Sequence, residues 1–359
     1  MSTNHLLSKH GLSSNQTPDR RAFMRMATAG LGGLLLSGLW PQQAQARRKK
    51  KKASGIKSRV VEVKRGKLGT TITLELATAP FPWGSKPYKD ATTLVYVPHH
   101  YRLPKNRKID IIVHFHGHST NVRQAIKDHM LREQLIESKQ NAILVLPQGP
   151  LNSRDGNAGK FGDDKGFLRF LTDMRKTLQD RKVRKATGKA NISHKGARIG
   201  RVALSAHSGG YHAAAKVLRH GGFEVKEVYL FDALYGDRAQ FLRWVVETRK
   251  AKFKDRHKLI CYYTGGKVGE QSHKLMKELG AQGVEVLHET KEGQLSRSEL
   301  TTGNAIFIRT RVGHTNVTLQ NNALRDCLFA SGFKRRLHSK WFRDSDKPRK
   351  IDKRKDKRR

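Results

Sequence analysis

Cysteine is almost missing from this 359-residue chain, with Cys261 and Cys327 the only two. A disulfide framework and a four-cysteine zinc site are therefore excluded, and a single bridge is open to the chain only in an oxidising compartment. Acidic residues are scarce as well: 30 Asp and Glu stand against 72 Lys and Arg, for a formal charge of +42. Such an excess is foreign to the surface of an ordinary cytosolic enzyme and favours anionic surroundings or partners. Hydrophobic residues make up 36% of the chain, and 32 glycines add to them. That share is low but enough for a sizeable core, so wholesale disorder is not expected. Long apolar runs are lacking too. The longest, residues 26–40, is broken by Gly30, Gly32, Gly33 and Gly38 and falls short of the about 20 residues of a membrane span. No repeat of solenoid or propeller period is present.

What is there begins with an address. Asp19-Arg20-Arg21-Ala22-Phe23-Met24-Arg25 precedes the apolar run, and Ala44-Gln45-Ala46 follows it. A charged start, a short apolar stretch and a small-x-small site define a cleavable export signal. The paired arginines before a weakly apolar, Gly-rich run resemble the twin-arginine type, which implies export of an already folded protein to the periplasm or beyond the bacterial cell envelope. No Cys follows the run, so a lipid anchor has no acceptor. The expected divisions are a signal over 1–46, a basic disordered segment over 47–58, a folded body over 59–333 and a basic, disordered tail over 334–359. The mature start would hold six consecutive cations, Arg47 to Lys52, and the tail carries 14 Lys and Arg against 4 Asp. These blocks suit an anionic polymer such as nucleic acid, lipopolysaccharide or a cell-wall polymer, or serve simply as solvated tails.

Within the body, β-rich runs at 60–63, 70–76 and 93–97 come first. Strands at 109–115, 142–146, 201–205, 227–231, 258–263, 284–287 and 305–308 then alternate with helices near 121–138, 163–178, 209–219, 238–250, 270–279 and 317–330. Continuous apolar strands such as Ile111-Ile112-Val113 suit burial on both faces. Regular alternation predicts one α/β domain, a mostly parallel central sheet flanked by helices. The basic stretch 182–195 lacks an apolar period and reads as a surface loop.

The decisive segment is Val202-Ala203-Leu204-Ser205-Ala206-His207-Ser208-Gly209-Gly210-Tyr211. A buried strand runs into Ser208, and an Ala-rich helix starts directly after it. A strand-to-helix turn this sharp needs small residues two positions to either side, supplied by Ala206 and Gly210. The turn raises the Ser208 oxygen above the sheet, whereas Ser205 lies inside the strand. Upstream, Val113-His114-Phe115-His116-Gly117-His118 ends another central strand. Downstream, Val312-Gly313-His314-Thr315-Asn316 follows a β-like run.

On these segments the chain resembles the α/β-hydrolase superfamily, with Ala206 in place of the first Gly of Gly-x-Ser-x-Gly. Leu146-Pro147-Gln148-Gly149 and Asp163-Asp164-Lys165-Gly166-Phe167-Leu168 further resemble the branch of polyhydroxybutyrate depolymerases and feruloyl esterases. The resemblance spans about 93–330. It implies Ser208 as nucleophile, His314 as base, and an oxyanion hole from backbone around Gly117, His118 and Gly209, acting on a small or polymeric ester with no cofactor and no metal. For the acid the residues offer two candidates, with an acid elsewhere or a Ser-His dyad left open. Asp232 follows a buried strand, where the functional edge of such a sheet lies. Glu270 is the sole carboxylate in Tyr263-Thr264-Gly265-Gly266-Lys267-Val268-Gly269-Glu270. The alternation His114/His116/His118 also suits a metal on one strand face, but no further ligand stands at customary spacing. The rival reading of the whole is a binding protein that keeps a hydrolase scaffold and holds anionic polymers through its charge.

Overall fold

Ten strands join into one sheet in the computed structural model, which describes residues 55–354. They are β1 Arg59–Gly66, β2 Gly69–Glu75, β3 Thr92–Pro98, β4 Lys108–Phe115, β5 Ala142–Pro147, β6 Arg198–His207, β7 Glu227–Phe231, β8 Lys258–Tyr263, β9 Val286–Glu289 and β10 Ala305–Arg309. The order is β1-β2-β3-β5-β4-β6-β7-β8-β10-β9. The first three pair antiparallel, β3 joins β5 antiparallel, and every pairing from β5 to β9 is parallel. This is the mostly parallel α/β sheet that the alternation of strands and helices predicts. The expected export signal, its paired arginines and the cations 47–52 lie outside the described residues.

Nine helices flank the sheet among the described residues: α1 Val122–Asp128, α2 Leu131–Ser138, α3 Gly166–Thr177, α4 Arg181–Thr187, α5 Tyr211–His220, α6 Arg238–Glu247, α7 Gly266–Ala281, α8 Arg297–Thr302 and α9 Ala323–Phe329. Successive strand residues alternate between two cores. Ile111, Val113 and Val145 face α3 to α7, while Ile112, Leu144 and Leu146 face α1, α2, α8 and α9. Cys261 belongs to the first core and Cys327 to the second. The sheet stands between them, so the bridge open to them in principle does not form and both thiols are free.

Three segments differ from their sequence reading. The helix expected over 121–138 is two helices, because Met130 turns left-handed at φ 45°. The helix expected over 317–330 is confined to α9, with Asn322 at φ 57° before it. The stretch read as a loop from 182 begins as α4, capped by Asp180 and anchored by buried Val183 and Thr187 at an i, i+4 spacing.

The basic C-terminal segment is the largest correction. Residues 334–354 are packed against the body rather than disordered, because the body offers buried carboxylates to receive their charge. Arg349 is 4% exposed and clamps Glu289, with Nη2 2.9 Å from Oε2 and Nη1 on Oε1. Glu289 also accepts backbone N–H bonds from Leu295 and Gly293. Trp341 is buried on Phe329, the ring centroids 5.0 Å apart. The described start of the body also reaches below residue 59, since Ser58 donates to Asp173 at 2.6 Å. Replacing Arg349 by Met should leave Glu289 buried without its cation and cost about 3–5 kcal/mol. Urea denaturation of Arg349→Met beside the double variant Arg349→Met/Glu289→Gln checks this: the pair should regain most of the loss.

Candidate active site

β6 is fully buried from Val202 to Ala206 and stops at His207. The next residue, Ser208, takes φ 51°, a left-handed conformation that strains any side-chain-bearing residue. The chain then tightens through Ser208–Gly210 and enters α5. Glycine is needed in this turn: a Cβ on Gly210 would lie 2.5 Å from the Phe115 carbonyl oxygen, and one on Gly209 would lie 2.1 Å from the His118 ring. A Cβ on Gly117 would lie 3.0 Å from that of Ser208. The backbones of Gly117 and Gly209 thus close on Ser208, and the His118 imidazole lies across Gly209.

β7 ends at Phe231, and Asp232 turns off it at φ 45°. Its carboxylate Oδ1 accepts from the backbone N–H of Thr264 at 3.0 Å and from the Thr264 hydroxyl at 2.8 Å. Its Oδ2 lies 2.6 Å from His314 Nδ1, and His314 Nε2 lies 2.9 Å from Ser208 Oγ. Because a carboxylate only accepts, Nδ1 carries the proton and Nε2 is free to receive one from the hydroxyl. Burial alone would raise the Asp232 carboxyl, but the bonds from His314 and Thr264 outweigh it and hold the group below the usual carboxylate range. Ser208, His314 and Asp232 therefore form one hydrogen-bonded line at the carboxyl ends of β6, β7 and β10. Glu270 takes no part in it: it stands exposed on the second turn of α7.

His314 is fixed twice more. Its backbone oxygen accepts from His207 Nε2 at 2.9 Å, and the Tyr235 hydroxyl is 3.5 Å from Nδ1. Sequence reasoning did not find Thr264, Tyr235 or this bond of His207. Thr264 had one usable signal, its position just past β8, where a polar group reaches the neighbouring strand end. Ser205, the other hydroxyl of the elbow strand, is fully buried and bonded to His114 Nδ1 at 2.9 Å.

The three histidines of the β4 end each have different partners. His114 turns to Ser205, His116 bonds the Gly117 carbonyl, the Gly149 N–H and Gln148, and His118 covers Gly209. Among the described residues no cluster of His, Cys, Asp or Glu is arranged to hold a metal. Burial pushes His114 down to about 3 and His207 to about 4. Both stay neutral in the folded protein, while in the unfolded chain they titrate near about 6.5. Stability from them is whole above that pH and falls as acid is added, by about 1.4 kcal/mol per pH unit for each. Denaturant titrations between pH 7 and pH 5 should show this slope, and His114→Gln, which keeps a partner for Ser205, should lessen it by one histidine's share.

Beside Gly209 and Gly210 opens a small pocket of about 30 Å³, walled by Pro80, Phe115, Pro147, Ala158, Phe161 and Ala213. No described helix is long and apolar enough to cross a membrane. No protein-family model matches the chain, nor does any curated protein sequence. Solved structures similar to it include a ferulic acid esterase, 14% identical, covering 76% of this chain and 95% of that one at a TM-score of 0.41. An S-formylglutathione hydrolase from Agrobacterium tumefaciens is 13% identical over 75% of this chain and 96% of its own, at a TM-score of 0.41. One from Staphylococcus aureus is 10% identical over 74% and 96%, at 0.42.

Proposed function

We propose that this protein is an exported serine hydrolase that cleaves carboxylic esters through an acyl-enzyme. The observation that carries the reading is the hydrogen-bonded line Ser208–His314–Asp232, with Ser208 at φ 51° on a strand-to-helix turn. In the reaction His314 Nε2 takes the hydroxyl proton as Ser208 Oγ attacks the ester carbonyl. Asp232 stabilises the imidazolium that results. Backbone N–H groups at Gly209 and around Gly117 and His118 receive the oxyanion, each donor worth about 3 kcal/mol. His314 then returns the proton to the leaving alcohol, and water attacking the acyl-enzyme by the same route frees the acid. The pocket beside Gly209 is narrow, which suits a short acyl group.

A fluorophosphonate probe tests the reading: peptide mapping should place the label on Ser208, and p-nitrophenyl acetate should be turned over faster than the decanoate. No label at Ser208, or no ester turned over, would overturn it. Export by the twin-arginine route is part of the proposal, supported by Arg20-Arg21, the Gly-rich run and Ala44-Gln45-Ala46. Replacing both arginines by Lys should leave precursor in the cytoplasm, and undiminished mature protein beginning at Arg47 would contradict it.

A further inference from the structure

Packing of the C-terminal segment creates a second concavity that shares no lining residue with the pocket beside Gly209. It is a cleft of about 630 Å³ between α9, the start of α8 and residues 339–354. Seven cationic side chains line it against three carboxylates. The carboxylates are already engaged: Asp326 with Arg325 at 3.0 Å, Asp352 with Arg325 at 2.8 Å, and Glu137 with Arg354. Arg349 is held by Glu289. Four cations are left, Arg297, Lys340, Lys350 and Lys353, and none of them forms an ion pair among the described residues. Arg297 stands 5.6 Å over the Trp341 ring and is held there by one bond from Nη1 to the Arg343 carbonyl at 2.7 Å, while its Nε has no acceptor among the described residues. Four cations gathered in one cleft with no carboxylate paired to them repel one another, and an anion entering the cleft would relieve that repulsion.

We propose that this cleft is a binding site for a multiply charged phosphate ligand. A monocarboxylate would neutralise only one of the four cations. Linked phosphates bring several charges at short spacing and several strong acceptor oxygens, which match a guanidinium fork with three ammonium point charges around it. Arg325, Arg349 and Arg354 tie the walls of the cleft to the body, so the free cations are gathered in one place before the ligand arrives. The site would hold the protein on a phosphate-bearing partner without involving Ser208.

The test is calorimetric titration of the full chain with inorganic tripolyphosphate at fixed ionic strength of about 0.15 M, where diffuse attraction is largely screened. Lys340→Ala/Lys350→Ala/Lys353→Ala should weaken Kd by about tenfold or more, each lysine contributing a modest share. Arg297→Met should also weaken it. The control is Lys57→Ala/Lys64→Ala/Lys67→Ala, which removes the same charge from exposed positions near the opposite end of the sheet and should leave Kd within about twofold. Equal losses in both triple variants would mean smeared surface charge, and an unchanged Kd in the cleft variant, or no binding by the parent chain, would likewise overturn the site. Ester turnover and the thermal midpoint of each variant show that the body is intact. A parallel titration with a poly(glycerol phosphate) chain distinguishes the sources: tighter binding per phosphate than tripolyphosphate marks a phosphodiester polymer as the partner, and weaker binding marks a free oligophosphate.

Discussion

Ser208→Ala is expected to lower ester turnover by about 10⁶-fold, because the nucleophile of such a unit supplies nearly all of its advantage. Residual hydrolysis should come from the backbone donors at Gly117 and Gly209 alone, and fluorophosphonate labelling should vanish. The backbone makes a second readout available. Ser208 sits at φ 51°, and Ala there bears the same left-handed strain as Ser, whereas Gly does not. Ser208→Gly should therefore be as inactive as Ser208→Ala yet more stable by about 1 kcal/mol, visible as a higher Tm. That pairing of lost activity with gained stability is what a strained nucleophile predicts. Turnover of the Ala variant within about 100-fold of the parent would show that another group does the chemistry.

The elbow was legible because its requirements are local. A strand buried on both faces must be apolar, a turn this tight needs Ala206 and Gly210, and the helix after it must start at once. His314 and Asp232 were legible as positions at strand ends, and for Asp232 the competing Glu270 could not be set aside without geometry. The side chain past β8 turned out to be a donor: Thr264 fixes the carboxylate of the neighbouring strand end, a division of labour that no spacing records. The same holds for His207, whose place beside Ser208 is evident in the sequence but whose bond to the His314 carbonyl joins residues 107 positions apart. Charge counting misread the C-terminal segment for a physical reason. A run of cations repels itself only when nothing opposes it, and Glu289, Asp326 and Glu137 lie far away in sequence yet adjacent in the fold. Helix ends were lost where single residues such as Met130 and Asn322 turn left-handed, a cost met by surrounding packing rather than by local preference.

Asp232→Asn is expected to lower turnover by about 10⁴-fold while leaving the fold intact. The geometry gives the reason. Thr264 donates two hydrogen bonds to Oδ1, so an asparagine will place its carbonyl oxygen there and turn its amide nitrogen toward His314. A donor then faces Nδ1, where the carboxylate accepted at 2.6 Å. The imidazole answers by carrying its proton on Nε2, and Nε2 can no longer receive the proton of Ser208. The loss is one of tautomer, not of position, and it should appear in kcat with KM little changed. Glu270→Gln is the matched control: the residue is exposed on α7, away from this line, and the variant should retain parental turnover. Measuring kcat and fluorophosphonate labelling rate for both variants decides the assignment. A near-normal Asp232→Asn together with a collapsed Glu270→Gln would transfer the role of the acid to Glu270, and loss of the folded state in Asp232→Asn, read from its circular dichroism and Tm, would reduce Asp232 to a structural anchor of the β7 end.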